Sequence, residues 1–179
     1  MIKHFFLYFA AFFTVAAPTY GATIRSDFGD WQLTCPDSEV GCVLSQTAAA
    51  SDQSWLATLR VALNEGDSNE AIVQFLVPPS VHLASGLFVT VSPGITKQAT
   101  FIRCLPIACE AVLELESETL SAWKRRRSAE LRYRASVDLQ PLVFDVSLMG
   151  LTAALDAAKR DAVNRSVSLP VGHIRERRP

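Results

Sequence analysis

The feature that most constrains this chain is a two-residue alternation of apolar and polar side chains, returning in short runs separated by turn formers. Leu142, Phe144, Val146 and Leu148 fall on one side of an extended chain, with Val143, Asp145 and Ser147 on the other. Successive Cβ atoms of a strand point to opposite faces, so this pattern predicts a strand with one face buried. The same period sets Ala57, Leu59, Val61 and Leu63 against Thr58 and Arg60. It recurs at Leu87, Val89 and Val91, and at Leu113 and Leu115 against Glu114 and Glu116. Leu131, Tyr133, Ala135 and Val137 face away from Arg132, Arg134 and Ser136. Ile72 to Val77 is apolar apart from Gln74, which predicts a central strand closed on both faces. Breakers lie between the runs, at 64–69, Pro78-Pro79-Ser80, Ala84-Ser85-Gly86 and Pro93-Gly94. Many short strands at close intervals bury their apolar faces in few ways. The expectation is a mainly β, antiparallel β-sandwich-like or partly open barrel domain.

Two short helices are expected to cover this sheet. The first runs from Ser117 as N-cap to about Arg127, with Leu120 and Trp123 on its apolar side. The second follows Gly150 and aligns Leu151, Ala154, Leu155, Ala158 and Ala162 in one stripe. A last strand is expected at Val167–Val171, and His173–Pro179 is expected to be disordered.

The N-terminus reads as a secretory signal peptide over residues 1–21: Lys3 and His4, an apolar run from Phe5 to Ala17, then small residues before a cut after Gly21. Thirteen helical residues reach only about 20 Å, short of the bilayer's hydrocarbon core of about 30 Å. Cleavage leaves about 158 residues, the size of one domain, expected over 22–164 with a partly disordered tail at 165–179. No later run is long enough to span a bilayer, so the processed chain is not expected to be an integral membrane protein.

All four cysteines follow the signal segment. An even count in an exported chain points to disulfides rather than to thiolate ligands. The short spacings favour Cys35–Cys42 and Cys104–Cys109, although three pairings are open. A four-thiolate zinc site fits less well, because the first pair is spaced too widely. No redox-active C-x-x-C is present.

Charge separates along the chain: residues 23–123 carry 12 acidic and 4 basic groups, and residues 124–179 carry 6 acidic and 12 basic. Lys124, Arg125, Arg126, Arg127, Arg132 and Arg134 gather six cations within eleven residues. Such a patch suits phosphate-bearing lipid, polyanionic glycans or an acidic protein partner, that is, an envelope protein or an anionic envelope or host surface; the competing reading is a solvated face offset by acidic neighbours. Nucleic acid is not expected, because the compartment is wrong and aromatics do not interleave with the cations. A second candidate contact is Leu105, Pro106 and Ile107, held inside the short loop between Cys104 and Cys109; such a tip is exposed or caps an end of the sandwich. Phe28 and Trp31, close before Cys35, are either core packing against a disulfide or a binding surface.

Candidate chemistry is sparse. His4 lies in the signal segment, His173 in the tail, and His82 in a loop near Ser80 and Ser85, without a G-x-S-x-G elbow. No histidine or carboxylate cluster has metal-ligand spacing, and no glycine-rich turn opens a helix to cradle phosphate, so no cofactor is expected.

Five segments together resemble the invasion-associated locus B family of exported bacterial proteins. They are Phe28-Gly29-Asp30-Trp31 followed by Cys35; Cys42-Val43-Leu44-Ser45-Gln46; Val77-Pro78 leading to Leu83-Ala84-Ser85-Gly86-Leu87; Arg103-Cys104-Leu105-Pro106-Ile107-Ala108-Cys109-Glu110-Ala111; and Val146 through Leu155. Met149, Leu151 and Ile107-Ala108 depart from the residues common in the family. The resemblance implies a periplasmic, envelope-associated or secreted protein with a role in host-cell interaction. With the residue reading it yields an expected non-catalytic binding module, with two alternatives. One is a small envelope hydrolase using His82 with Ser80 or Ser85. The other is a chaperone-like holder, requiring an open apolar groove or a free sheet edge.

Overall fold

The computed structural model describes residues 23–36, 41–64, 67–91 and 94–168, with side chains described as far as residue 164. The expected signal segment and the 169–179 tail lie outside the described residues. Ten strands form one sheet in the order β1-β2-β3-β4-β5-β8-β7-β6-β9-β10, with every neighbouring pair antiparallel. These strands are β1 Ile24–Phe28, β2 Trp31–Cys35, β3 Val43–Ala49, β4 Trp55–Leu63, β5 Ala71–Val77, β6 Leu87–Val91, β7 Ile95–Leu105, β8 Ala108–Leu115, β9 Ser128–Tyr133 and β10 Leu142–Ser147. Helix α1, Ser117–Lys124, joins β8 to β9, and α2, Leu151–Ser168, follows β10.

The long β7 serves both halves of the sheet. Its first residues pair with β6, its last with β8, and the register shifts between Phe101 and Arg103. An irregularity of this kind bends a strand and increases its twist. The β6-β9-β10 half thus folds back over the β1–β5 half, where the Tyr133 hydroxyl on β9 donates to Leu56 O on β4 at 2.8 Å. Between the halves lies one continuous core. Leu44, Leu59, Val73, Phe75, Leu87 and Leu131 are fully enclosed, and Leu151, Ala154 and Leu155 close it from α2. The mainly β, sandwich-like expectation with two covering helices is borne out.

Several local expectations are corrected. Ile72–Val77 is central, between β4 and β8, but only one of its faces is closed: Ile72 remains 43% exposed. An antiparallel sheet can leave one face to solvent, so an apolar run there does not prove two covered faces. The strand expected through Val137 ends at Tyr133, because Leu139 N–H donates to Ser136 O and turns the chain; Val137 is exposed. The N-cap of α1 is Glu116 rather than Ser117, and the helix stops at Lys124. Ala162 lies on the exposed side of α2, whereas the other four stripe residues are buried. Residues 167–168 continue α2 rather than beginning a strand, and 169–171 lie outside the described residues.

Candidate functional site

The two disulfides position two segments. Cys35 pairs with Cys42 and Cys104 with Cys109, as the spacings favoured. The first bridge joins β2 to the segment opening β3, and Asp161 of α2 places a carboxylate oxygen 3.1 Å from the Cys42 sulfur. Both sulfurs of this group are spent in the disulfide and carry no proton, so the trio is a packing junction between α2 and the bridge rather than a metal centre. The second bridge pins the β7–β8 hairpin. Its tip points outward, with Leu105 49% and Ile107 79% exposed.

Beside that bridge, Glu110 is buried on the outer face of the sheet. It accepts from Gln74 Nε2 and from Arg103 Nε, the latter at 2.5 Å. The Gln74 hydrogen bond, followed by the hydrogen bond and charge of Arg103 and the charge of Arg60, holds its carboxyl below the usual 4.5 against the opposing effect of burial. A depression of ≈ 660 Å³ crosses this face, where Val43, Ile72 and Val112 are interspersed with Arg25, Arg60 and Gln74. It is the feature nearest to the groove that a holder of unfolded chains requires, but charged and amide groups interrupt its apolar surface.

The six cations do not form one patch. Leu148 N–H donates to Arg127 O at 2.8 Å and Thr152 Oγ1 to Lys124 O at 3.2 Å, which sets Lys124–Arg127 where β10 passes into α2. Arg132 and Arg134 lie at the other end of β9, some five to seven residues or about 16 to 23 Å away. The disulfide tip belongs to that same far end. Cys109 is in register with Val77 at the end of β5; the chain then runs to His82, whose N–H donates to Arg134 O at 2.8 Å. The structure therefore brings Leu105, Pro106 and Ile107 to the end that carries Arg132 and Arg134, and separates both from the Lys124–Arg127 cluster.

At this far end a recess of ≈ 260 Å³ is lined by Ser85, Gly86, Phe88, Arg132, Tyr133, Arg134 and Pro141. Arg132 lies over the Phe88 ring at 4.9 Å, held by its cross-strand partner, and Arg134 Nη1 donates to Leu139 O at 2.5 Å. The Ser85 hydroxyl lies 2.7 Å from Nδ1 of His82, the N-cap of the 3₁₀ turn Leu83–Ser85. Burial pushes the Tyr133 phenol up to about 12, so it stays protonated and donates inward to Leu56. Among the described residues no carboxylate lines this recess, and Arg103–Glu110 is the only ion pair. The serine–histidine pair has no carboxylate hydrogen-bonded to the imidazole among the described residues, and Gly86 N–H is already committed to Leu83 O. Ser80, the other serine considered, is exposed. Sequence reasoning did not single out Phe88 or Pro141, and marked Gly86 as a breaker and part of a resembling segment rather than as a site residue. The one usable signal was Phe88 itself, an aromatic in a strand otherwise made of Leu, Val and one Thr.

Two of the resembling segments meet in space. Asp30 N–H donates to Met149 O at 3.2 Å, Trp31 Nε1 to Ser147 O at 3.2 Å, and Ser147 Oγ to Asp30 Oδ2 at 2.5 Å. Phe28 to Trp31 and Ser147 to Leu151 thus clasp the first strands to the last. Across residues 31–159 the sequence matches the family model described as invasion associated locus B protein. The chain belongs to the invasion-associated locus B family. Two invasion protein B homologs of Brucella abortus, from strain 2308 and from biovar 1 strain 9-941, are each 25% identical over 146 residues. Each alignment covers 80% of this chain and 84% of the relative. The crystal structure of invasion associated protein B from Bartonella henselae shares the fold, with a TM-score of 0.69 at 17% identity; the match covers 79% of this chain and 99% of that one. Within this locus B family member, the segments carrying the resemblance serve closure and stapling: the clasp, the two bridges and the Arg103–Glu110 pair. Family membership and the two bridges together support export.

Proposed function

We propose that the protein is a periplasmic or envelope-associated interaction module that catalyses nothing, and that it docks through the strand end carrying Ile107, Arg132 and Arg134. One observation carries this reading: that end combines a disulfide-held apolar tip with two arginines that have no carboxylate partner among the described residues. A preorganised apolar contact loses little entropy on docking, and unpaired cations favour an anionic partner over a neutral one. The Brucella relatives are named for invasion, which supports a contribution to host-cell contact through the same surface. His82 and Ser85 serve here to orient a hydroxyl rather than to attack a substrate.

A photo-crosslinking amino acid placed at Ile107 in growing cells is expected to trap an envelope component identifiable by mass spectrometry. The same amino acid at Arg126, on the opposite end, is expected to trap none. Adducts from position 126 alone would defeat the assignment.

A further inference from the structure

The exposed aliphatic side chains are not scattered at random around the recess. Leu83 is 48% exposed, Val137 61%, Leu139 54% and Val143 50%, and all four belong to segments joined to the two arginines. Val143 stands directly opposite Arg132 in the β9–β10 register, and Leu139 supplies the carbonyl that Arg134 holds. Leu83 belongs to the 3₁₀ turn whose His82 N–H donates to Arg134 O. Val137 and Leu139 lie in the turn between β9 and β10. A protein interior would bury such residues, and leaving several together in water is costly.

We propose that this end of the molecule seats on an anionic phospholipid bilayer. The recess formed by Ser85, Arg132 and Arg134 takes a lipid phosphate, and Leu83, Val137, Leu139 and Val143 enter the boundary between headgroups and acyl chains. This rests on the docking surface proposed above and names its partner. Three observations favour a lipid over a folded macromolecule. The recess is only ≈ 260 Å³, the scale of one headgroup rather than of a protein knob. Its donors suit a phosphate. Arg134 spends one of five N–H groups on Leu139 O, Arg132 is fixed by stacking without spending any, and the Ser85 hydroxyl adds another when His82 Nδ1–H is the donor of their shared hydrogen bond. Apolar side chains border the cations directly, which matches a lipid, whose charge and hydrocarbon are adjacent, better than a sugar or an acidic protein surface. Glu130 and Asp145 stand one step further along the same outer face, opposite each other in register, and Asp138 lies in the loop. Their opposing field confines the attraction to the strand end.

The test is sedimentation of the signal-free protein with vesicles of phosphatidylglycerol in phosphatidylcholine, against phosphatidylcholine alone. Binding is expected only with the anionic lipid. Each cation near a bilayer contributes about 1 kcal/mol, so R132Q/R134Q is expected to weaken binding roughly 30-fold, while K124Q/R125Q at the opposite end changes it less than about threefold. V137S/L139S/V143S is expected to weaken it at least about tenfold. E130Q/D145N is expected to strengthen it. All these positions are exposed except the half-buried Lys124 and Arg134, and far-UV circular dichroism checks that each variant folds. Equal loss from K124Q/R125Q, or no loss from R132Q/R134Q, overturns the proposal. Inorganic phosphate bound by the free protein without any vesicle binding would overturn it in favour of a small-anion recess. Crosslinking at Ile107 that persists without vesicle binding would overturn the lipid partner and leave the interaction module standing.

Discussion

At the scale of single residues, the least replaceable side chain is one that is missing. Gly150 has φ +92°, and a Cβ there would lie 1.9 Å from Phe28 O. Gly29, φ +58°, faces it from the β1–β2 turn, where a Cβ would lie 2.8 Å from Met149 O. Two turns distant in sequence thus approach backbone to backbone, and the obstacle to any side chain is a carbonyl in a hydrogen-bonded turn. Gly150→Ala is expected to cost about 3 kcal/mol or more, because it meets both a forbidden approach and a positive φ. Chemical denaturation measures this; a loss below about 1 kcal/mol would mean that the clasp yields easily. The sequence marks Gly150 as a helix-preceding breaker, yet its partner Phe28 lies more than a hundred residues away, and no local pattern carries that contact.

Among the elements, the β7–β8 hairpin shows where the two-residue period succeeds and where it fails. Cys109, Ala111, Leu113 and Leu115 of β8 alternate inward as the pattern requires. Only Ala99 of β7 is buried, because that strand bends between two halves of the sheet and presents no single apolar face. Strands β1 and β2, five residues each, show no apolar alternation of useful length, and β3 turns the polar Gln46 inward between Leu44 and Ala48. Position 110 reads as an ordinary outward glutamate. Only the neighbouring strands bring Gln74 and Arg103 to it. Since its folded pKa lies below the unfolded value, the carboxylate's contribution is complete above pH 4.5 and is lost as pH falls through the folded pKa. Glu110→Gln is expected to lower stability by about 1 kcal/mol at pH 7, Arg103 being largely solvent-exposed. In urea titrations the difference from the native protein should shrink as pH falls below 4.5 and vanish once pH has passed the folded pKa; a constant difference down to strong acid would contradict the assignment.

For the whole molecule, the fold-back at β7 and the clasp between β2 and β10 make one core of both halves of the sheet. Trp31, 1% exposed, sits where they meet and donates to Ser147 O from the other half. Trp31→Ala is expected to cost about 3 to 5 kcal/mol. Both halves should unfold in one transition, with far-UV and near-UV signals coincident. Separate transitions would show that the halves are independent domains. Alternation and turn residues sufficed for the mainly β class and the two helices, because each is written in neighbours a few positions apart. Strand order, the clasp, and the separation of six cations into two opposite ends were decided only by the tertiary structure. Each of these depends on which distant segments share a surface, and a strand's polar face looks the same in sequence whichever neighbour it meets.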